Sequence, residues 1–303
     1  MEVSTLIPKM TIFVVLMVIG YLCAKTNFAG REFTRDASKM VINVFMTATI
    51  INSVLVTDAR LTGRELAIIM LALCIAIVVG WILAAISCRV MGLGERAPLF
   101  ELLIAVVNNM FIALPVVEAL FGSEAVFYCS LSCIPFNIIL YTYGVYRLQG
   151  SGGKVTIRLK DIFTIPLLAT FVALAIFRTA SSCPGVLREL ASSTAAATMP
   201  LSMIVIGSSL GSAGLLDAFK EAVHNVPYPA AGLPLLVWLL LGFVTDDLVL
   251  KVTSTIIAAS PSAVIVSVLA IQYDKDAVFT SEGILLSTVF SMLTIPLVIY
   301  IIM

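Results

Sequence analysis

Two short polar runs interrupt apolar stretches of the chain, one in each half, and both contain proline. They consist of Asn108, Asn109 and Pro115 in the first half and of Ser260, Pro261 and Ser262 in the second. Proline inside a helix removes a backbone hydrogen bond and costs about 3 kcal/mol or more. In apolar surroundings, the freed amides and carbonyls persist only where protein or a water-filled cavity receives them. The chemistry that these runs offer is the binding of a ligand.

A broken helix presents the N-terminus of its second half, whose free N–H groups and positive dipole end attract anions. Two such breaks near each other predict a binding site for an anionic substrate, formed by the six residues named above. The alternative is a pair of proline kinks whose Asn and Ser side chains bond to neighbouring helices. Glu118 is the candidate for ion or proton coupling, because an intramembrane carboxylate is a functional hypothesis by default. It is instead an interfacial residue if the span ends at Gly122.

The composition shows which solvent surrounds these residues. Of the 303 residues, 60% are apolar and only 12% are Asp, Glu, Lys or Arg, and the mean hydropathy is +1.10. A water-soluble chain of this length cannot bury so much apolar surface, which excludes a cytosolic enzyme, a disordered protein and a nucleic-acid binder. The net charge is zero, and the six scattered Cys and the single His form no metal-binding pattern. We therefore expect lipid as the main solvent and no cofactor or metal.

A bilayer helix needs about 20 predominantly apolar residues. We predict ten such membrane spans, at 6–24, 38–56, 65–88, 99–121, 125–147, 161–178, 191–213, 228–245, 249–271 and 278–302. The first is interpreted as a span and not as a cleaved signal, because its positively charged flank, from Lys25 to Lys39, follows it. Spans two, four, seven and nine carry polar residues, and three of them carry proline, in their interior.

The interrupted spans are the second and fourth of each group of five, which indicates an internal repeat. A shift of 152 residues lays 124–127 (Glu-Ala-Val-Phe) on 276–279 (Asp-Ala-Val-Phe), directly after the broken span in both halves. Because five is an odd number of spans, the second half must enter the membrane upside down, as in many secondary transporters. We expect a first five-helix repeat at 1–148, a cytoplasmic connector at 149–160 and a second, inverted repeat at 161–303.

The positive charges predict the orientation. With ten spans, 12 of the 18 Lys and Arg residues fall on one side of the membrane and six on the other. The side with more positive charge is expected to be cytoplasmic. Both termini of this multi-pass chain then lie outside the plasma membrane.

Residues in three of the interrupted spans and in the last span carry a resemblance to a known family. They are Asn108-Asn109-Met110-Phe111-Ile112-Ala113-Leu114-Pro115, Pro200-Leu201, Gly207-Ser208-Ser209-Leu210, Pro261, Ala263, Ala270-Ile271-Gln272-Tyr273 and Leu286-Ser287-Thr288-Val289-Phe290-Ser291 through Pro296. In order and spacing they resemble the auxin efflux carrier family, which includes bacterial malonate and other organic-acid transporters.

The resemblance implies an all-α polytopic membrane protein of ten transmembrane helices in two inverted five-helix repeats. Helices four and nine are interrupted and cross at the substrate site, as in sodium/proton antiporters and bile-acid symporters. The implied function is secondary transport of a small organic anion, either a malonate-like mono- or dicarboxylate or an auxin-like molecule, by alternating access.

Two other functions stay open as alternatives: a sodium-coupled symporter of the bile-acid type and a non-transporting membrane receptor. We do not expect an enzyme, because the spans contain no pair of Asp residues, no Ser/His pair and no His cluster. The expected partners are the organic anion, the lipid bilayer, a coupling proton or sodium ion and, as a homodimer, a second copy of the chain. Nucleic acid is not among them.

Overall fold

The computed structural model describes residues 3–56, 62–149, 163–179, 184–212 and 232–302, and the extended secondary structure in this part of the chain is helical. Its α-helices are α1 (Val3–Lys25), α2 (Arg31–Met40), α3 (Met46–Val56), α4 (Gly63–Met91), α5 (Ala97–Ala105), α6 (Leu114–Phe121), α7 (Ser123–Ile139), α8 (Val145–Gln149), α9 (Ile165–Thr179), α10 (Gly185–Ala195), α11 (Thr198–Ser212), α12 (Gly232–Leu241), α13 (Leu248–Ala259), α14 (Ile265–Gln272) and α15 (Ala277–Ile302). Short π-helical turns at Val41–Phe45, Asn109–Ala113 and Leu140–Gly144 and a 3₁₀ turn at Gly94–Arg96 connect some of them.

Five helical stretches are long and apolar enough to cross a membrane: Glu32–Val56, Gly63–Met91, Ser123–Gln149, Gly185–Ser208 and Ala277–Ile302. Five shorter apolar helices accompany them, at Thr11–Lys25, Asn109–Phe121, Ile165–Phe177, Gly232–Leu241 and Leu248–Ala259. These helices agree with a polytopic membrane protein, whereas the arrangement of ten spans as an inverted repeat stays a prediction. The predicted connector at 149–160, apart from Gln149, lies outside the described residues.

Many large apolar side chains on the outer faces of the helices are exposed. Leu71 and Ile82 of α4 are 55% and 53% exposed, and Leu293 of α15 is 72% exposed. Exposed apolar surface of this extent is unfavourable in water but matches the hydrocarbon of a bilayer. Among the five long helical stretches, the one with the largest buried share contains α7, which packs against α3, α4, α6, α9 and α13.

Glycines allow α1 and α11 to pack backbone against backbone. A Cβ atom added to Gly207 would overlap the carbonyl group of Met17, and one added to Gly20 would overlap the carbonyl group of Ile204. The contact at Gly211 is looser, because a Cβ atom added there would lie 2.7 Å from the carbonyl oxygen of Tyr21. The spacing of Gly207 and Gly211 is typical of close helix packing in membranes, and the structure places both of them at this contact.

The break in the predicted seventh span precedes its proline. Residues 196 and 197 form a turn between α10 and α11, so Pro200 lies in the first turn of α11. A first-turn proline costs little because its missing N–H would have no partner inside the helix. Thr49 of α3 and Thr198 of α11 join the two elements through a buried hydroxyl–hydroxyl hydrogen bond of 2.7 Å.

Candidate functional site

The first interruption lies between α5 and α6. The helix ends at Ala105, and Val106 (φ −96°, ψ 81°) and Asn108 (φ −83°, ψ 68°) leave the helical conformation. The chain re-enters a helix through the π turn Asn109–Ala113 and continues into α6. Pro115 is buried in the first turn of α6 and not at the interruption itself.

The second interruption lies between α13 and α14. Ser260 adopts an extended conformation (φ −70°, ψ 150°), as expected for a residue that precedes proline. Its hydroxyl donates a hydrogen bond of 2.9 Å to the carbonyl oxygen of Ile256 in the preceding turn. The chain becomes helical again at Ile265.

The structure brings the two interruptions together. The amide of Asn108 donates to the carbonyl of Pro261 at 2.7 Å, and the amide of Ala263 donates to the carbonyl of Val106 at 2.8 Å. These two hydrogen bonds make an antiparallel bridge between Val107 and Ser262. The backbone groups that each interruption frees are thus partly satisfied by the other interruption, which explains how both persist in an apolar interior.

The Asn108 side chain has two different ends. Its Oδ1 accepts a hydrogen bond of 3.0 Å from the amide of Phe111 and so caps the following helical turn. Its Nδ2 has no acceptor among the described residues, and the residue is partly exposed. Within the described part of the chain, the side chain therefore offers one unengaged NH₂ group at the bridge.

Asn109 faces the opposite way, towards α7. Its Nδ2 donates to the Ser132 hydroxyl at 3.1 Å, and its backbone carbonyl accepts a hydrogen bond from the Cys129 thiol at 3.4 Å. The residue is only 5% exposed. These contacts attach the π turn to α7, so that Asn109 is engaged by the protein itself.

The Ser262 hydroxyl donates to the carbonyl of Leu103, and the Ser262 amide donates to the Ser287 hydroxyl at 3.1 Å. Like Ser260, it is buried, and its hydroxyl proton has a backbone acceptor. Of the side chains predicted to bind substrate, Asn108 is therefore the one whose donor is unengaged within the described part of the chain.

Backbone amides add to this donor. Met110, at the start of the π turn, and Ile265, at the start of α14, have amide groups without an acceptor in the described ranges. Both lie at the N-terminal end of the second half of an interrupted helix, where the helix dipole is positive. Together with Asn108 Nδ2, these groups could hold a carboxylate.

Glu118 lies in α6, ten residues beyond Asn108 and thus about 15 Å away along a helix. It is partly buried, and its Oε2 has no hydrogen-bond partner among the residues that the structure describes. The structure therefore places Glu118 away from the bridge between the interruptions, towards the end of α6.

One ion pair with a buried carboxylate was not anticipated from the sequence. Glu101 in α5 is 1% exposed, and its Oε2 lies 2.6 Å from Nε of Arg147 in α8. Its other oxygen is buried without a partner in the described structure. The sequence does show a carboxylate, Glu101, within a predicted span. It does not show the partner of that carboxylate, because Arg147 lies 46 residues further along the chain.

A small cavity of about 50 Å³ lies between the α1/α11 pair and the α6/α15 pair. Its walls are mostly apolar, with Thr288 and Ser291 of α15 as the hydroxyl-bearing residues. The cavity borders the π turn through Ile112 and α6 through Val116. It separates two groups of helices and does not coincide with the bridge at Val107 and Ser262.

Comparison with known proteins adds two findings. The sequence profile of a family described as membrane transport protein matches residues 5–299. A relative from Methanothermobacter thermautotrophicus, described as an uncharacterized transporter, is 28% identical over 295 residues, which cover 93% of this chain and 94% of that protein.

Proposed function

Since the chain belongs to the membrane transport protein family, the family of the auxin efflux carriers, we propose that it moves a small organic anion by alternating access. It is a multi-pass membrane protein of a transporter family, and the resemblance noted from the sequence is thereby confirmed. The substrate class proposed is a mono- or dicarboxylate of malonate-like or auxin-like type, carried across the plasma membrane.

The bridge between the two interrupted helices is the observation that carries this proposal. The N–H groups of Asn108 Nδ2, Met110 and Ile265, which have no acceptor within the described ranges, lie at the starts of the two second half-helices. A carboxylate is a hydrogen-bond acceptor with negative charge, and such donors at positive helix ends suit it. No lysine or arginine lies in the interruptions, so the dipoles and neutral donors are the attraction that this site has to offer.

Alternating access requires two groups of helices that move relative to each other. One group of helices is held together chiefly by the packing of α1 on α11 and of α3 on α9 and α10. Its members are α1, α2, α3, α9, α10 and α11. They correspond to predicted spans one, two, six and seven, which we propose as the scaffold. The interrupted helices belong to the remaining group, and the cavity next to Ile112 lies between the two groups.

The ten-span inverted repeat is part of the proposal. The five long and five shorter apolar helices supply enough segments for ten spans, with repeats at 1–148 and 161–303. The excess of Lys and Arg near 25–39 and 147–160 supports a cytoplasmic connector and external termini. Impermeant thiol labelling of a cysteine placed at Ser151, in a Cys-free background, tests this orientation. Labelling from outside intact cells would contradict it.

Uptake into proteoliposomes tests the function itself. A panel of radiolabelled mono- and dicarboxylates should include at least one that accumulates in liposomes with the protein and not in empty liposomes. Imposed pH and Na⁺ gradients are varied separately, because stimulation by Na⁺ alone would assign the protein to the sodium-coupled alternative. Failure of every member of the panel to bind or move would reject the proposed substrate class.

A further inference from the structure

The cavity of about 50 Å³ lies where the two groups of helices meet. Met17 of α1 and Met203 of α11 belong to its wall on the scaffold side. Ile112 of the π turn, Val116 of α6 and Met292 of α15 belong to the opposite wall. Any group that occupies the cavity therefore contacts both the scaffold and the interrupted helices.

One wall of the cavity begins one helical turn after Asn108. The amide of Ile112 donates to the carbonyl of Asn108 at 3.3 Å, so the two residues occupy consecutive turns. Val116 follows Ile112 by four residues and borders the cavity as well, on the same face of the helix. One helical turn spans about 5.4 Å. The cavity thus starts within the length of a small molecule from the Asn108 side chain.

The second interruption reaches the cavity through α15. The amide of Ser262 donates to the Ser287 hydroxyl at 3.1 Å. Ser291 follows Ser287 by four residues, which places both on one face of α15, and it borders the cavity. On this side too, the cavity is one helical turn away from a residue that contacts an interruption.

The lining of the cavity suits a hydrocarbon group and not a second carboxylate. Its hydroxyl-bearing residues are Thr288 and Ser291, whose hydroxyls donate to backbone carbonyls of α15 at 2.7 and 2.8 Å. An ionised carboxylate only accepts hydrogen bonds, and both hydroxyl hydrogens are already engaged. The lining residues in the described part of the chain include no Lys, Arg or His. A carboxylate buried without donors or a cation is unfavourable, whereas a buried methylene is favourable.

The volume of the cavity limits the size of that hydrocarbon group. A cavity of about 150 Å³ holds a benzene ring. This cavity has about a third of that volume, so it accommodates a short alkyl group and is too small for an aromatic ring.

We propose that the cavity is a specificity subsite for the alkyl group of the transported anion, which is then a short-chain aliphatic monocarboxylate. This inference rests on the proposed transport function and narrows its substrate class. The carboxylate lies against Asn108 Nδ2 and the two helix starts. The alkyl chain extends one turn further, between α6 and the α1/α11 pair. Dicarboxylates such as malonate and acids with an aromatic ring are disfavoured, the first by charge and the second by size.

Calorimetric titration of the full-length protein in lipid nanodiscs tests the substrate class, with empty nanodiscs as the blank. From acetate to propionate to butyrate, the Kd should fall about fourfold for each methylene buried. Malonate should bind at least about tenfold more weakly than propionate, and succinate more weakly than butyrate, because the second carboxylate finds no donor. Phenylacetate should also bind more weakly than butyrate.

Two results of the titrations would overturn the subsite. They are a Kd that does not change with chain length, and dicarboxylates that bind as tightly as the monocarboxylates with the same number of carbons. Either result leaves transport of an organic anion standing. Binding of none of these acids would instead reject the proposed function, and the subsite with it.

Two variants assign the chain-length dependence to the cavity. Ile295 borders the cavity and is 5% exposed, so Ile295→Phe should fill the cavity, remove the gain from acetate to butyrate and leave the Kd of acetate unchanged. Met292→Ala should enlarge it and lengthen the best-bound chain by one carbon or more. Leu293 is 72% exposed on the outer face of α15, so Leu293→Phe and Leu293→Ala are the matched controls and should bind as the wild type does.

Size-exclusion chromatography first shows that each variant is folded. If Ile295→Phe does not fold, the chain-length preference of Met292→Ala alone decides. A preference that is unchanged in Met292→Ala, or changed equally in Leu293→Ala, would show that the alkyl chain lies in lipid or elsewhere on the protein and would overturn the proposal.

Discussion

The two ends of the Asn108 side chain should be separable by substitution. Its Oδ1 caps the turn at Phe111, and its Nδ2 has no acceptor among the residues that the structure describes. Asn108→Leu removes both groups, whereas Asn108→Asp keeps an oxygen for the cap and replaces the donor with a negative charge. Asp and Asn are about equally good N-caps, so the pair of variants separates stability from binding.

The expected magnitudes differ for the two variants. Loss of the cap in Asn108→Leu costs about 1 kcal/mol, which lowers the Tm of a protein of this size by about 2 °C. Loss of a hydrogen bond to an ionised substrate costs about 1.5–3 kcal/mol, or roughly 10- to 150-fold in Kd. Asn108→Asp should keep the Tm of the wild type. It should lose at least as much affinity as Asn108→Leu, because the new carboxylate repels the carboxylate of the substrate.

Binding and thermal unfolding are measured on the same preparations, with a substrate identified by the proteoliposome panel. Ser260→Ala is the matched control from the other interruption. Its hydroxyl donates to the Ile256 carbonyl, so we expect near-normal affinity. Normal affinity in Asn108→Asp would show that the side-chain nitrogen does not contact substrate and would refute the reasoning. A large fall in Tm with unchanged affinity in Asn108→Leu would show that Asn108 only caps the helical turn and does not bind substrate.

Three further predictions concern packing and charge. Gly207→Leu should separate α1 from α11 and lower the yield of folded protein in size-exclusion chromatography, because even a Cβ overlaps the Met17 carbonyl; an unchanged elution profile and Tm would contradict this. Arg147→Met leaves the buried Glu101 carboxylate without a cation and should lower the free energy of unfolding by about 2–3 kcal/mol, less than for a fully buried pair because the arginine is partly exposed. Adding Glu101→Leu to this variant should restore much of the Tm, and a Tm that stays low would argue against the ion pair. Glu118→Gln should remove stimulation of uptake by a pH gradient and retain binding; uptake that still responds to the gradient would exclude Glu118 from coupling.

The membrane character and the position of the interruptions follow from local features of the sequence. A bilayer demands apolar segments of a minimum length, and composition alone reveals them. Proline and neighbouring polar residues weaken a helix wherever they occur, so both runs could be located without a structure. The family is confirmed as well, because the family profile matches residues 5–299.

What the local pattern did not determine is how each interruption is built. The non-helical residues are 106–108, well before Pro115, because the π turn at Asn109–Ala113 leads the chain back into a helix before the proline. Asn108 and Asn109 are neighbours with the same chemistry, yet one caps a turn and the other bonds to α7. The difference arises from the direction in which each side chain leaves the turn.

Pairings between distant residues were decided by the tertiary structure alone. Composition and spacing reveal that a carboxylate lies in an apolar segment, but not whether a cation, a phenol or nothing lies beside it. Glu101 meets Arg147, and Asp247 meets Tyr128, 119 residues away. Likewise the bridge between Val107 and Ser262 uses backbone groups that every residue possesses. A sequence therefore marks where hydrogen bonds are lost inside a membrane, and only the packing of the helices decides which groups replace them.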